Sequence, residues 1–206
     1  LAVPNSDGSV SVDYRAPLCR YSPQGCATEA ATSSVYPSDG EPSFGSDVAA
    51  SDAAFAVGSS HSVYIYIRTG IDYFGYYEAA KIDNTTGPLA ISGNLLVVGS
   101  RVFRTLDGGY TWSQVLLIDE TCRDVDVEVD TVICGANASA LVFRSFDNGT
   151  TWSQIATLAP NATDDETFGR SVAFSCDLAV VGAAGAAFLF DTPSRPMPVA
   201  TCVPTV

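Results

Sequence analysis

The chain has 206 residues, enough for one domain, or one domain with arms, and for a core that buries roughly 70 per cent of the unfolded surface. With 47% apolar and 10% aromatic residues it cannot be disordered over most of its length. Ten basic against 23 acidic residues, net −13, exclude nucleic acid and anionic membrane surfaces as partners. Its apolar runs, such as Leu95-Leu96-Val97-Val98, are too short to cross a bilayer, so no direct membrane insertion is expected.

In chain order, residues 1–43 read as an N-terminal arm. It holds one alternating piece, Ser9–Asp13, and a Pro/Gly-containing loop that Cys19 and Cys26 could close as a disulfide. A chain that begins at Leu1 rather than Met is expected either to have lost a leading segment or to start within a longer chain. Residues 44–192 then repeat. Phe44-Gly45-Ser46-Asp47-Val48-Ala49 leads to Val57-Gly58, and Phe168-Gly169-Arg170-Ser171-Val172-Ala173 leads to Val181-Gly182. Between them the apolar–Gly step recurs at Val98-Gly99 and Cys134-Gly135, with spacings of 41, 36 and 47 residues. Four units follow, at a period suited to propeller blades.

Each unit reads as short strands joined by tight turns, with no helical periodicity. Unit three is the clearest. Asp124-Val-Asp-Val-Glu-Val129 alternates strictly, and Thr131–Cys134, Leu141–Ser145 and Trp152–Leu158 follow it. Four strands per unit is a propeller blade. The acids of Asp124–Asp130 are expected to form a solvated face, because their alternation spreads them along a strand rather than around one ion. Unit four lacks a clear fourth strand, which either Val10–Tyr14 or Val199–Val203 could supply, closing the ring. Residues 193–206 are a Pro-rich tail.

Two segments, offset by 40 residues, are nearly identical: Val102–Gln114 and Val142–Gln154. Within them Thr105-x-Asp107-x-Gly109-x-Thr111-Trp112 and Ser145-x-Asp147-x-Gly149-x-Thr151-Trp152 resemble the Asp-box (BNR) repeat, and the Phe-Gly…Val-Gly segments resemble FG-GAP repeats. The expected fold is an all-β propeller of four blades with extended N- and C-terminal arms. The Asp box explains itself structurally. Its carboxylate accepts hydrogen bonds from its own turn, its glycine supplies positive φ, and its tryptophan buries against the sheet. The resemblance also raises the sialidases, which need an arginine cluster, a Tyr/Glu nucleophile pair and an acid Asp. This chain has few arginines, and Arg104 and Arg144 belong to the repeat, so no enzyme and no catalytic residue is expected. The D-x-D-x-D-G calcium loop that FG-GAP repeats often carry is missing, no cysteine pair has zinc spacing, and neither metal nor cofactor is expected.

Four N-glycosylation sequons, at Asn84, Asn137, Asn148 and Asn161, and six cysteines, with Cys122, Cys134, Cys176 and Cys202 joining Cys19 and Cys26, point to a secreted, extracellular or cell-surface protein. Six cysteines allow 15 pairings. Cys202 could tie the tail to Cys176, which leaves Cys122 for Cys134, with a buried free thiol at Cys134 as the alternative. Tyr73, Tyr76 and Tyr77 could form a platform that stacks on sugar rings, although blade packing also calls for such residues. His61, between two serines, is expected in a turn without a partner. The function expected is a non-enzymatic extracellular glycoprotein. It would be a structural or interaction module that binds protein partners or copies of itself, polymerising through its terminal arms. A lectin-like propeller binding glycans is the alternative, and a degenerate sialidase-like hydrolase the third.

Overall fold

The computed structural model describes residues 34–68, 76–160 and 166–192, and the backbone of 2–4 and 10–12. The described residues form 18 strands in five antiparallel sheets and no helix. Blade one is β4 (Val48–Ala50), β5 (Ala54–Gly58), β6 (Ser62–Arg68) and β7 (Tyr76–Asp83). Blade two is β8 (Leu89–Ser92), β9 (Leu95–Val98), β10 (Arg101–Arg104) and β11 (Ser113–Leu117). Blade three is β12 (Asp124–Glu128), β13 (Thr131–Gly135), β14 (Ala140–Arg144) and β15 (Ser153–Leu158). Blade four has three described strands, β16 (Ser171–Ser175), β17 (Leu178–Ala183) and β18 (Ala186–Asp191). In every blade the strands lie in chain order, the simplest solution for hairpin-linked strands.

The fifth sheet departs from the expected extended arm. β1 (Ala2–Pro4), β2 (Val10–Val12) and β3 (Ser34–Val35) pair antiparallel, and β1 lies beside β4. Val10–Val12 therefore pairs with β1 and β3 rather than completing blade four. The other proposed closing strand, Val199–Val203, and the rest of the C-terminal tail lie outside the described residues.

The inner strands run in series, β4 beside β8, β8 beside β12 and β12 beside β16, so the blades stack face on face. The stacking is apolar. Ala56, Val63 and Ile65 of blade one meet Leu89, Leu96, Val98 and Phe103 of blade two. Leu95, Val97 and Val102 meet Val125, Val132, Cys134 and Leu141 of blade three. Ile133, Ala140 and Val142 meet Phe174, Ala179 and Val181 of blade four. A strand covered on both faces has no use for alternation. This accounts for the fully buried runs of β5, β9 and β13, which read Ala-Phe-Ala-Val-Gly, Leu-Leu-Val-Val and Thr-Val-Ile-Cys-Gly.

Candidate functional site

The two Asp-box turns connect β10 to β11 and β14 to β15. In the first, Asp107 Oδ1 accepts the N–H groups of Tyr110 (3.0 Å) and Thr111 (2.9 Å), and Oδ2 accepts the Thr111 hydroxyl at 2.6 Å. The Thr105 hydroxyl donates to Asp107 and accepts the Gly109 N–H. Asp147 repeats this arrangement with Thr150, Thr151 and Ser145. Chiefly through the Thr111 and Thr151 hydroxyl bonds, both carboxyls are pulled down to about 2. Trp112 and Trp152 stand just before the strands, half-buried, and their indole N–H groups donate to the Gly109 and Gly149 carbonyls at 3.0 and 3.2 Å. A carboxylate filled by its own turn is a poor acid, base or ligand.

Each turn also wedges against the preceding blade. A side chain at Gly149, where φ is +82°, would meet Leu95 and Arg104 of blade two, and one at Gly109 would meet Ile67 of blade one. Arg104 donates to Thr150 at 3.0 Å across that junction. Its counterpart Arg144, buried, donates to Thr131 at 2.9 Å and lies 3.6 Å from Asp177. Both arginines thus hold the framework, as the repeat implies.

The acidic row of β12 is not the solvated face expected from its alternation. Asp124 and Asp126 accept the N–H groups of Val172 and Phe174 on β16 at 2.8 and 2.7 Å, and Glu128 accepts that of Cys176. The alternation aims the three carboxylates at the edge of the next inner strand, whose amides need acceptors. Burial pushes the Asp126 carboxyl up. The other junctions carry single bonds of this kind: Asp47 accepts the Leu89 N–H at 2.8 Å, and the Ser92 hydroxyl accepts that of Val129 at 3.3 Å. No cluster of metal-ligating side chains occurs among the described residues.

The tyrosines do not make one platform. Tyr73 lies outside the described residues. Tyr76 and Tyr77 are neighbours on one strand and so point to opposite faces. Tyr76 meets Phe55 edge-on, with centroids 4.9 Å apart, whereas Tyr77 pairs with Tyr110 at 6.2 Å, the two hydroxyls hydrogen-bonded. That bond raises the Tyr77 phenol to about 12. Tyr110 escaped the sequence reading because it belongs to the next blade's Asp box.

His61 sits in a turn as expected but has partners: its Nδ1 lies 2.8 Å from Glu41 and 2.9 Å from the Ser60 hydroxyl. Carboxylate and hydroxyl share one ring nitrogen, so this is no relay. A second cluster, also missed, pins residues 36–41 to blade one. Lys81 bridges Asp39 (2.6 Å) and Asp83 (2.9 Å), and Asp39 accepts the Tyr64 hydroxyl at 2.6 Å. Lys81 and Tyr64 together hold the Asp39 carboxyl at about 2. A cavity of about 320 Å³ opens where the β4–β5 and β8–β9 turns meet, lined by Ser51, Asp52, Ser92 and Val127 among others.

Cys122 and Cys134 form a disulfide inside the blade two–three core, so Cys134 is not a free thiol. Cys176 is also disulfide-bonded, and its partner lies outside the described residues, as do Cys19, Cys26 and Cys202. Asn84, Asn137 and Asn148 are exposed, and Asn161 lies outside the described residues.

Residues 152–192 match the FG-GAP repeat family. Among solved structures, Hsv2 from Kluyvelomyces marxianus is similar to this chain with a TM-score of 0.58 at 10% identity, over 84% of this chain and 54% of that one. The WD40 β-propeller domain of Doa1 aligns with a TM-score of 0.47 at 16% identity, over 72% and 51%. The chain therefore spans about half the length of the solved structures it matches. No curated protein matches it. Four stacked antiparallel blades, with an FG-GAP repeat running from the last strand of blade three through blade four, make this chain a β-propeller repeat protein.

Proposed function

We propose that this propeller is a non-enzymatic interaction or structural module of an extracellular or cell-surface assembly, carrying N-glycans and binding proteins or further copies of itself. The observation that carries the reading is where the polar chemistry goes. The Asp-box carboxylates serve their own turns, the β12 acids hold the next blade's amides, and Arg104 and Arg144 reach across or brace the framework. What remains for partners is surface. The Cys122–Cys134 disulfide, the FG-GAP repeat and three exposed sequons support the extracellular location.

The test is glycopeptide and disulfide mass spectrometry of native material, with a native-mass measurement. Glycans on Asn84, Asn137 or Asn148, an oxidised Cys122–Cys134 pair and a mass above the monomer are expected. Bare asparagines with reduced cysteines would overturn the location.

The Tyr77–Tyr110 pair, at the surface beside an Asp-box turn, favours a second reading, in which the propeller binds carbohydrate by stacking. A glycan array that shows binding lost in Tyr110→Ala would establish it, and a blank array would exclude it.

A further inference from the structure

Blades one and two meet without a cysteine. The sequence has none between Cys26 and Cys122, whereas the next junction carries the Cys122–Cys134 bridge in its core. The first junction has a pair of phenols instead. Ile67 and Tyr77 stand opposite each other on β6 and β7, and Ile67 packs into the core shared with blade two. The Asp-box turn of blade two presses on that spot, since any side chain at Gly109 would come 2.9 Å from Ile67 Cγ2. Tyr110 follows Gly109 and so reaches Tyr77. Its backbone is held by the 3.0 Å bond from its N–H to Asp107, and that of Tyr77 by the strand ladder. The Tyr77 hydroxyl donates to the Tyr110 oxygen, with ring centroids 6.2 Å apart and planes at 43°. Tyr110 is 54% exposed, so the pair is open to solvent. Tyr64 and Tyr66 are buried, and their hydroxyls donate to the Asp39 carboxylate and the Tyr36 carbonyl rather than to a second phenol.

We propose that Tyr77 and Tyr110 are a site of oxidative cross-linking, where a haem peroxidase and hydrogen peroxide form a dityrosine that staples blade one to blade two. Each phenol loses one electron and its hydroxyl proton. The two phenoxyl radicals couple through a ring carbon ortho to each oxygen, forming one C–C bond. The two ortho hydrogens then move to the oxygens, and both rings regain aromaticity. Peroxide takes up the two electrons and two protons and leaves as two waters. The geometry favours each step. The hydrogen bond gives the Tyr77 proton an acceptor as its electron leaves, and it sets the ortho carbons, one bond from each oxygen, side by side. The backbones are fixed while the side-chain torsions remain free to turn, so the two radicals meet at an effective concentration that a second chain does not match. The bond forms within one chain, so the inference goes beyond the assembly function and does not rest on it.

The test treats the purified chain, dilute and with its disulfides intact, with a haem peroxidase and hydrogen peroxide. A monomer lighter by two hydrogens and carrying dityrosine fluorescence is expected. After reduction and trypsin digestion, residues 69–81 should be joined to residues 105–123 through Tyr77 and Tyr110. Tyr77→Phe and, separately, Tyr110→Phe should each cut the yield of this product at least tenfold. Tyr36→Phe, at an exposed tyrosine outside the pair, should leave the yield unchanged. Phenylalanine keeps each ring, and the near-UV spectrum checks that the variants fold. The cross-linked monomer should also unfold at a higher urea concentration than Tyr110→Phe treated alike, because the staple restrains the unfolded chain as a disulfide does. The proposal is overturned by treated wild type that gains no cross-link within the monomer, by a cross-link that maps to other tyrosines, by one that Tyr77→Phe or Tyr110→Phe retains, or by an unfolding midpoint that the cross-link does not move. Tyr110→Phe keeps a ring for stacking, so the carbohydrate reading stands or falls separately.

Discussion

Asp126 joins two blades through one carboxylate: one oxygen accepts the Phe174 N–H from β16 at 2.7 Å and the other its own Val127 N–H at 2.8 Å. Asp126→Ala leaves the Phe174 amide without its acceptor at a partly buried edge, at a cost of about 1–2 kcal/mol. Asp119→Ala, at an exposed loop position, should stay within about 0.5 kcal/mol of the parent. Urea unfolding midpoints measure both. Equal midpoints would mean that the carboxylate row contributes nothing to the junction.

This row also marks how far the sequence could be read. The blade repeat was legible because each second strand ends in an apolar–Gly step, and the alternation of Asp124–Glu128 gave a strand within a residue of its observed end. Val129 falls outside it because it takes φ +55° in the turn, as Gly93 does in blade two. That the carboxylates share one face was legible too, but that this face meets the next blade rather than solvent was not. Nor was their acceptor role, because the donating amides lie 48 residues away and nothing local encodes that distance. The Lys81–Asp39 bridge and the Tyr77–Tyr110 pair were hidden for the same reason. In the arm, Val10–Val12 lay within a legible alternation, whereas the three residues of β1 and the two of β3 carried too little pattern to be distinguished from coil.

Acid should loosen the fold through the Asp-box turns. Asp107 and Asp147 titrate at about 2 when folded and near 3.8 otherwise. Their contribution is therefore complete above the ordinary carboxylate value and is lost as pH falls from there towards 2. Asp39 behaves alike. Asp126, raised by burial, has the opposite sign, because the folded chain takes up its proton first and gains as pH falls. With Asp83, lowered by its hydrogen bond to Lys81, four lowered groups outweigh one raised, so Tm should decline between about pH 4 and pH 2. In Asp107→Asn/Asp147→Asn, Tm at pH 7 should be lower and the acid decline shallower. An unchanged acid slope would sink this account.

The Cys122–Cys134 bridge closes a loop of sequence separation 12 in the blade two–three core. Restricting the unfolded chain over such a loop is worth about 3 kcal/mol. Cys122→Ala/Cys134→Ala should lower the unfolding free energy by about that amount, with further loss from the two buried positions. Calorimetry of the double variant, with reduced wild type beside it, measures the effect. A double variant as stable as oxidised wild type would show the bridge to be dispensable.

Gly149 and its neighbour Asn148 separate two demands on one turn. Both have positive φ, +82° and +60°. Asn148 is exposed, while any side chain at Gly149 comes 3.1 Å from Leu95 Cδ2 and 3.2 Å from Arg104 Cδ. Asn148→Gly relieves backbone strain in open space and should hold or raise stability by up to about 1 kcal/mol. Gly149→Ala meets both the backbone penalty of about 1–2 kcal/mol and the two contacts, and it pushes blade three's turn off blade two. It should therefore cost more than Asn148→Gly returns, and it should raise hydrogen exchange on β10 as well as within its own turn. If exchange rises only at residues 145–152, the turn caps its own hairpin and does not wedge the blades.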